Sequence, residues 1–170
     1  YIAECVVYDV ENGVLTWNKR PLHHFKNAHG MNTFNSKHAD CVCGSVTSNG
    51  YIAVWLDGGR YLAHRVIWKL MTGNDPEKNL DHVDTDKRNN ALVNLRLATK
   101  QENAFNQGKS PRNKTGFKGV SFDKARKKYF SCICTNGKTI ALGRFTTPEQ
   151  AHAAYCKTSN AVHGNFSRSR

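Results

Sequence analysis

The sequence lacks any run of apolar residues near the roughly 18 that a membrane-spanning helix requires. No signal peptide is recognisable among the first residues. Apolar residues make up only 39% of the 170 residues, which argues against one large hydrophobic core. We therefore expect one ordinary domain or a few small modules with modest cores.

Acidic residues are nearly absent from the last third of the chain. Residues 109–170 hold 13 Lys and Arg but only Asp123 and Glu149, a net charge of +11, whereas residues 1–108 carry +1. Such concentrated positive charge is typical of a surface that binds a polyanion. A merely solvated basic surface is the alternative, but this segment has the pattern of a folded domain rather than of a basic tail. The charge therefore indicates nucleic-acid binding.

The six cysteines include no C-x-x-C pair, the spacing usual in structural zinc sites. Two C-x-C pairs are present, Cys41 with Cys43 and Cys132 with Cys134. On a strand, this spacing puts both sulfur atoms on one face. A zinc-bound structural module is thus an alternative, but reduced cysteines are the expectation for a cytosolic protein.

Turn signals predict two β-hairpins in the first third of the chain. Asn12–Gly13 and Asp57–Gly59 each interrupt an alternating pattern of apolar and polar residues. Residues 21–40 are polar and rich in histidine, with no hydrophobic period. They are predicted to form an irregular loop.

Helix signals follow the second hairpin. The segment HRVIWKLMTG predicts a short helix that ends at Gly73. Four apolar residues are predicted to face the core: Val66, Ile67, Leu70 and Met71. Further on, TKQE has the pattern of a capping box, in which Thr99 caps a helix and Glu102 reaches back. The segment NQGKSPRNKTG has little to bury and is predicted to be a linker.

The last third predicts a sheet backed by a helix. FKGVSFD, KYFSCICT and KTIALGRF have the composition of strands, and Asn136–Gly137 supplies the turn between the last two. Thr147 at an N-cap and Pro148 at the first helical position predict a helix that ends at Gly164.

The stretch AHRVIW…LDHVDTDKRNNALVNLRLATKQENAFN combines a strand ending in Asp-His, a polar loop, a returning strand and a capped helix. It resembles the ββα-metal fold of the HNH nucleases, in particular the HNH homing endonucleases of phages and mobile introns. The resemblance implies an H-N-N variant with His82 as the general base and Asn94 bracing the hairpin. It also implies that Asp81 and Asn103 are the metal ligands.

These residue types suit phosphodiester hydrolysis. A neutral imidazole, with a reference pKa of about 6.5, can accept a proton from water near neutral pH. Carboxylate and amide oxygens suit Mg²⁺ or Mn²⁺, and the cation can neutralise charge that develops in the transition state. Two interpretations stay open for the neighbouring His64 and Arg65, namely DNA contacts near the scissile bond, or a helix cap and a solvated cation.

Residues 114–168 resemble the Apetala-type DNA-binding domain of plant ethylene-response factors, through G-V, L-G-x-F, E-x-A-x-x-A-Y and H-G. In that family the sheet lies in the major groove and the helix packs behind it. Alternation then puts Tyr129, Ser131 and Ile133 on the helix side. The residues assigned to DNA in this domain are Lys118, Ser121, Lys124, Arg126, Lys127, Lys128, Phe130, Cys132, Thr139 and Arg144. Phe130 and Cys132 replace base-reading polar residues, which predicts backbone grip with little sequence discrimination.

We therefore predict an α+β protein in four parts: an N-terminal β-rich region (1–60), a ββα-metal nuclease core (61–107), a linker (108–115), and a DNA-binding domain (116–170) with a three-stranded antiparallel sheet on one helix. The predicted function is Mg²⁺- or Mn²⁺-dependent cleavage of double-stranded DNA by a monomer or homodimer. We expect it in the cytoplasm of a bacterium or a phage-infected cell. A DNA-binding regulator that does not cleave is the alternative, although binding alone does not require the Asp-His-Asn-Asn set.

Overall fold

Short strands and short helices alternate along the chain, which confirms the predicted α+β class. The computed structural model describes residues 1–168 and divides into two compact units, Tyr1–Leu97 and Ala98–Arg170. We call them the N-terminal and the C-terminal unit. The finer division into four parts stays a prediction. None of the helices in the described range is long and apolar enough to cross a membrane.

The N-terminal unit contains small sheets in the strand orders β1-β2, β3-β4-β5 and β6-β7. Its elements in chain order are α1 (Ile2–Cys5), β1 (Val6–Asp9), β2 (Val14–Trp17), α2 (Ala28–His38), β3 (Ser45–Val46), β4 (Ile52–Leu56), β5 (Gly59–Leu62), α3 (Ala63–Thr72), β6 (Asn79–His82) and β7 (Leu95–Ala98). Single 3-10 turns lie at Leu22–His24 and Leu92–Asn94. Strand β7 reaches the boundary with the next unit.

Both predicted hairpins are confirmed. β1 and β2 are antiparallel with Asp9 opposite Val14, and the amide of Gly13 closes the turn onto the carbonyl of Asp9 at 2.9 Å. β4 and β5 are antiparallel with Leu56 opposite Gly59. These hairpins form because their turn residues adopt left-handed backbone angles that glycine and asparagine or aspartate tolerate best.

The loop predicted for residues 21–40 is wrong, because α2 occupies much of this segment. The side chain of Asn27 caps α2 by accepting a hydrogen bond from the amide of Gly30 at 2.9 Å. None of the helix residues is fully buried, so α2 has no apolar stripe that a periodicity argument could detect. Its main anchor is Phe34, whose ring meets that of Trp17 edge-on at 5.3 Å.

The core of the N-terminal unit lies where the hairpins meet α3. It is formed by Cys5, Val6, Leu15, Trp17, Cys43, Val54, Leu56, Ala63, Val66, Ile67 and Leu95. Gly73 ends α3 with a φ of 77°, as predicted. Val66 and Ile67 are buried and Leu70 packs against the core, but the prediction for Met71 is wrong because its side chain is 44% exposed. The last turn of α3 runs beyond the core.

The C-terminal unit is a helix on a three-stranded antiparallel sheet of order β10-β9-β8, as predicted. Its elements are α4 (Lys100–Asn106), β8 (Val120–Asp123), β9 (Lys128–Thr135), β10 (Lys138–Phe145), α5 (Pro148–His163) and a 3-10 turn (Gly164–Phe166). The capping box of Thr99 and Glu102 at the start of α4 is confirmed. So are the Thr147 cap of α5, through a hydrogen bond from the amide of Gln150, and Pro148 in its first turn.

Helix α5 packs on the sheet through a row of residues four apart. Ala151, Tyr155, Ser159 and His163 are the buried members of this row. On β9, Ser131 and Ile133 are buried beneath the helix, as the alternation predicted. The residues before the sheet are also tied to it, since Asn113 donates to the carbonyl of Phe117 at 2.7 Å and Thr115 donates to that of Val120 at 3.1 Å.

Two glycines of the C-terminal unit allow the cost of backbone strain to be distinguished from the cost of steric overlap. Gly119 and Gly137 have nearly the same left-handed φ, 74° and 72°. A Cβ on Gly119 would overlap the ring of Tyr155, whereas a Cβ on Gly137 would meet no atom within 4 Å. We expect Gly137→Ala to cost about 1–2 kcal/mol of unfolding free energy. Gly119→Ala should cost roughly 2–5 kcal/mol, because overpacking adds to the same strain.

Urea unfolding followed by far-ultraviolet circular dichroism measures both changes. Equal losses at the two positions would show that the close approach of Tyr155 to Gly119 does not limit packing in this unit.

Candidate active site

Strand β6 ends in two buried polar residues, Asp81 and His82, which are 6% and 4% exposed. Successive residues of a strand point to opposite faces, so the two side chains meet different partners. Arg96 on β7 donates from Nε and Nη2 to Oδ2 of Asp81, at 2.9 and 2.8 Å. This ion pair compensates the buried charge and holds the carboxylate in place. The sequence analysis did not assign a role to Arg96.

His82 lies in a largely enclosed setting. Its Nε2 is 3.0 Å from Oδ1 of Asn90, a residue that is only 2% exposed. The rings of His64 and Tyr51 lie beside the imidazole, with centroid distances of 5.1 and 6.0 Å. The sequence predicted a polar loop here but did not single out Asn90. The signal that could have found it is the number of asparagines in the loop, because a buried amide is costly without partners.

Asn94 braces the loop between β6 and β7. Its Oδ1 accepts from the amide of Asp84 at 3.0 Å, and its Nδ2 donates to Oδ1 of Asp84 at 2.9 Å. Its backbone carbonyl accepts from the amide of Val83 at 2.9 Å. Asp84 also accepts from Nδ2 of Asn89 at 2.7 Å, so it serves as a turn residue. A direct role of Asn94 in catalysis stays a prediction.

His64 does not cap α3, because the N-cap is Leu62, which makes no side-chain cap bond. The cap interpretation is therefore wrong. His64 is 4% exposed, and burial, with smaller effects of His82 and Arg65, lowers its pKa to about 4. Its ring is therefore neutral at pH 7 and adds no positive charge next to His82. Arg65 is exposed on the same helix.

The remaining predicted residues lie in the C-terminal unit. Asn103 lies half-buried on α4, and its role as a metal ligand stays a prediction. Lys118 donates from Nζ to the carbonyls of Phe105 and Gln107, at 2.6 and 2.7 Å. Burial, with the charge of Arg168 adding to it, lowers the pKa of Lys118 to about 8. Lys118 thus secures the end of α4, which is a role besides any contact with phosphate.

The strand register separates the other predicted DNA contacts from the buried face. Ser121, Phe130 and Arg144 lie side by side across the three strands, one position out of phase with the buried pair Val120 and Ser131. Cys132 pairs with Ala141 and Thr139 pairs with Cys134 on the same face. The β8–β9 turn carries four exposed cations at its edge: Lys124, Arg126, Lys127 and Lys128.

Some of this charge is already compensated. Asp123 accepts from Nε of Arg144 at 3.1 Å and from Nη1 of Arg126 at 3.3 Å. The guanidinium of Arg144 also lies over the ring of Phe130, 5.1 Å from its centroid. The three lysines of the turn have no such carboxylate partner among the described residues.

A second group of potential ligands lies in the N-terminal unit. Nε2 of His24 and Nε2 of His23 are 2.8 and 3.0 Å from the same carboxylate oxygen of Glu4, and these hydrogen bonds, His24 first, lower the pKa of Glu4. Nε of Arg20 donates to Nδ1 of His24 at 3.1 Å. A guanidinium only donates, so Nδ1 is the acceptor and Nε2 carries the proton. This arrangement is a hydrogen-bond network rather than a metal centre, since a metal requires a deprotonated nitrogen.

Comparisons with known proteins identify one family model and related sequences. A family model described as HNH endonuclease matches residues 61–105. Protein 3.8 of Escherichia phage T7 is 32% identical over 108 residues, which cover 63% of this chain and 88% of that protein. A protein of Acanthamoeba polyphaga mimivirus, named Uncharacterized HNH endonuclease L560, is 36% identical over 120 residues. That alignment covers 69% of this chain and 61% of the mimivirus protein. No solved structure matches the chain.

The chain therefore contains an HNH endonuclease family domain at residues 61–105. It is similar to the phage T7 protein along most of the latter's length, whereas it spans about three fifths of the mimivirus relative.

The depressed pKa of His64 predicts a pH dependence of stability. The unfolded residue titrates near a pKa of about 6.5, so between pH 6.5 and 4 the unfolded chain binds more protons than the folded one. Stability therefore falls as the pH falls through this window. Between pH 7 and pH 4.5, His64 should account for a loss of about 2 kcal/mol.

Urea unfolding followed by tryptophan fluorescence tests this, because all three tryptophans lie in the N-terminal unit. His64→Gln should lose less stability than the wild type on acidification. The same change at the exposed His29 should leave the loss unaltered. If His64→Gln and the wild type lose equally, His64 does not titrate as its burial predicts.

Proposed function

We propose that this protein is a DNA endonuclease that hydrolyses phosphodiester bonds of duplex DNA, with His82 as the general base. The observation that carries the proposal is the buried Asp81–His82 pair at the end of β6, within the segment that the HNH endonuclease model matches. An imidazole held by one nitrogen can use the other to take a proton from an attacking water. The phage and mimivirus relatives are consistent with an origin in a phage or a mobile element.

A divalent metal ion, Mg²⁺ or Mn²⁺, completes the proposed site. The donor set fits such an ion, because a carboxylate and an amide supply hard oxygens. Asp81 and Asn103 would hold it. The ion would supply positive charge to the phosphate and the leaving oxygen. Arg96 orients the carboxylate of Asp81 through its two hydrogen bonds and keeps it from turning away.

A basic pocket in the N-terminal unit suits a phosphate of the DNA backbone. The pocket, of about 270 Å³, is lined by Arg60, Arg65 and Lys69 beside the ring of Tyr61. Lys69 pairs with Asp75 at 2.7 Å, so this carboxylate does not neutralise the two arginines, which can bind phosphate. This supports the interpretation of Arg65 as a phosphate contact.

We propose that the C-terminal unit grips the duplex as an Apetala-type domain. Its sheet, backed by α5, leaves one face exposed, and its last 62 residues carry the +11 charge. That exposed face offers Phe130, Cys132 and Thr139 rather than a row of base-reading arginines, so phosphate contacts should dominate affinity. Tethering this grip to a nuclease raises the local concentration of DNA at the active site. A monomer would nick one strand, and a homodimer could cut both.

The first test concerns His82→Ala and the nicking or linearisation of supercoiled plasmid with Mg²⁺ or Mn²⁺. Loss of a general base should reduce the rate about 10²–10⁴-fold. Duplex affinity, measured by fluorescence anisotropy in Ca²⁺, should change little, because the proposed base acts on water rather than on DNA. The matched control is His29→Ala, an exposed histidine in α2.

Full activity of His82→Ala would remove His82 from the mechanism. A wild-type protein that binds duplex DNA but never cleaves it would instead favour the DNA-binding regulator.

The second test concerns the salt dependence of DNA binding. Each neutralised phosphate contributes about −0.9 to the slope of log K against log salt. Removing three exposed cations of the β8–β9 turn should flatten this slope by about 2–3 units if each contacts a phosphate. The variant carries Lys124→Gln, Lys127→Asn and Lys128→Gln, with asparagine at 127 because the φ of 51° there is left-handed.

The matched control removes three exposed lysines of the N-terminal unit: Lys19→Gln, Lys26→Gln and Lys37→Gln. Its slope should equal that of the wild type. Equal slopes for all three proteins would show that the turn makes no contact with phosphate.

A further inference from the structure

The side chain of Asn90, in the β6–β7 loop, bonds to the imidazole of His82. The distance from Nε2 of His82 to Oδ1 of Asn90 is 3.0 Å, and both residues are more than nine-tenths buried. An amide oxygen only accepts hydrogen bonds, so this contact requires the proton of the neutral ring on Nε2. Nδ1 is then the nitrogen that carries the lone pair.

The backbone of Asn90 is held from the other end of the N-terminal unit. The hydroxyl of Tyr8, on β1, donates to the carbonyl of Asn90 at 3.2 Å and accepts from the amide of Leu92 at 2.9 Å. Burial raises the pKa of Tyr8, which keeps its hydroxyl protonated as this pair of bonds requires. The hydroxyl of Tyr8 thus links the carbonyl of Asn90 to the amide of Leu92.

The β1–β2 turn approaches the same segment closely. Gly13 has a φ of 69°, and a Cβ at this position would lie 2.6 Å from the amide nitrogen of Ala91. No side chain fits between the turn and the loop, so the two backbones are in direct contact. The β1–β2 hairpin therefore limits where Asn90 can lie, through the Tyr8 bridge on one side and Gly13 on the other.

We propose that Asn90 is the positioning residue of the general base. It fixes the Nε2-protonated tautomer and the ring orientation of His82. The β1–β2 hairpin in turn holds Asn90 in place through Tyr8 and Gly13. The inference rests on the proposed role of His82, to which it adds the identity of the reacting nitrogen, Nδ1. A histidine that can rotate or change tautomer presents the wrong nitrogen for part of the time. Residues that orient a functional histidine in this way typically affect activity about 10–100-fold.

The first experiment observes the tautomer without DNA or metal. Nitrogen-15 NMR of the full chain distinguishes protonated from unprotonated ring nitrogens, and His82→Gln identifies the signals of His82. The wild type should show Nε2 protonated, and Asn90→Leu, which keeps the branched shape but removes the acceptor, should show a mixture of tautomers. Asn90→Asp, which keeps an acceptor oxygen, should restore the single form. A wild-type ring protonated on Nδ1, or an Asn90→Leu spectrum like that of the wild type, overturns the inference.

The second experiment measures plasmid cleavage with the same variants. Asn90→Leu should lower kcat about 10–100-fold with little change in KM, and Asn90→Asp should recover most of the loss. Tyr8→Phe should lower kcat less, because the side chain of Asn90 keeps its own bond. The matched control is Asn89→Ala, which removes hydrogen bonds of the same loop to Asp84 and to the amide of Ala91 but none to His82.

Thermal unfolding sets a temperature at which every variant is folded, so that a general loss of structure does not imitate the effect. Equal losses of kcat in Asn90→Leu and Asn89→Ala, or no recovery in Asn90→Asp, contradict the positioning role. If the wild type does not cleave DNA, the proposed function is wrong, but the NMR spectra still decide whether Asn90 fixes the tautomer of His82. If cleavage is present but the tautomer is the other one, only the present inference fails.

Discussion

The burial of two adjacent polar residues, Asp81 and His82, is the constraint on which the rest of the site depends. A buried carboxylate is costly without a cation, and a buried imidazole or amide is costly without hydrogen bonds. Arg96 meets the first need, and Asn90 meets the second. Two other asparagines of the loop bond to backbone groups that an irregular loop leaves without a partner, since Asn89 accepts from the amide of Ala91 and Asn94 accepts from the amide of Asp84.

Charge is used differently in the two units. In the N-terminal unit, key cations are matched at short range, as in the pairs Arg96–Asp81 and Arg20–Asp57. In the C-terminal unit the balance is +11, and one carboxylate, Asp123, serves two arginines. Matched charges keep a buried site ordered, whereas exposed unmatched charges attract a polyanion and are screened by salt. A buried catalytic site and a DNA-binding surface therefore require different charge distributions, which explains why the positive charge is concentrated in the last third of the sequence.

The N-terminal hairpin shows how a region without functional groups of its own can support a reaction. It contributes neither a base nor a metal ligand to the proposed mechanism. Its contribution is the bridge of Tyr8 across the loop and the close approach of Gly13 to Ala91, contacts between residues that are far apart in the chain. Precise orientation of a catalytic group depends on such supporting contacts as much as on the group itself.

The sequence by itself determined the elements whose signals are local. Turn glycines, the capping box of Thr99 and the proline of α5 act within a few residues, so both early hairpins and the whole C-terminal sheet and helix were predicted correctly. It did not reveal α2, since a helix with no buried residue has no stripe to detect. Only the tertiary structure decided the partners of Asp81 and His82 and the burial of His64. Those contacts join residues 8 and 15 positions apart across a loop, and burial depends on which elements pack together rather than on any neighbour in the chain.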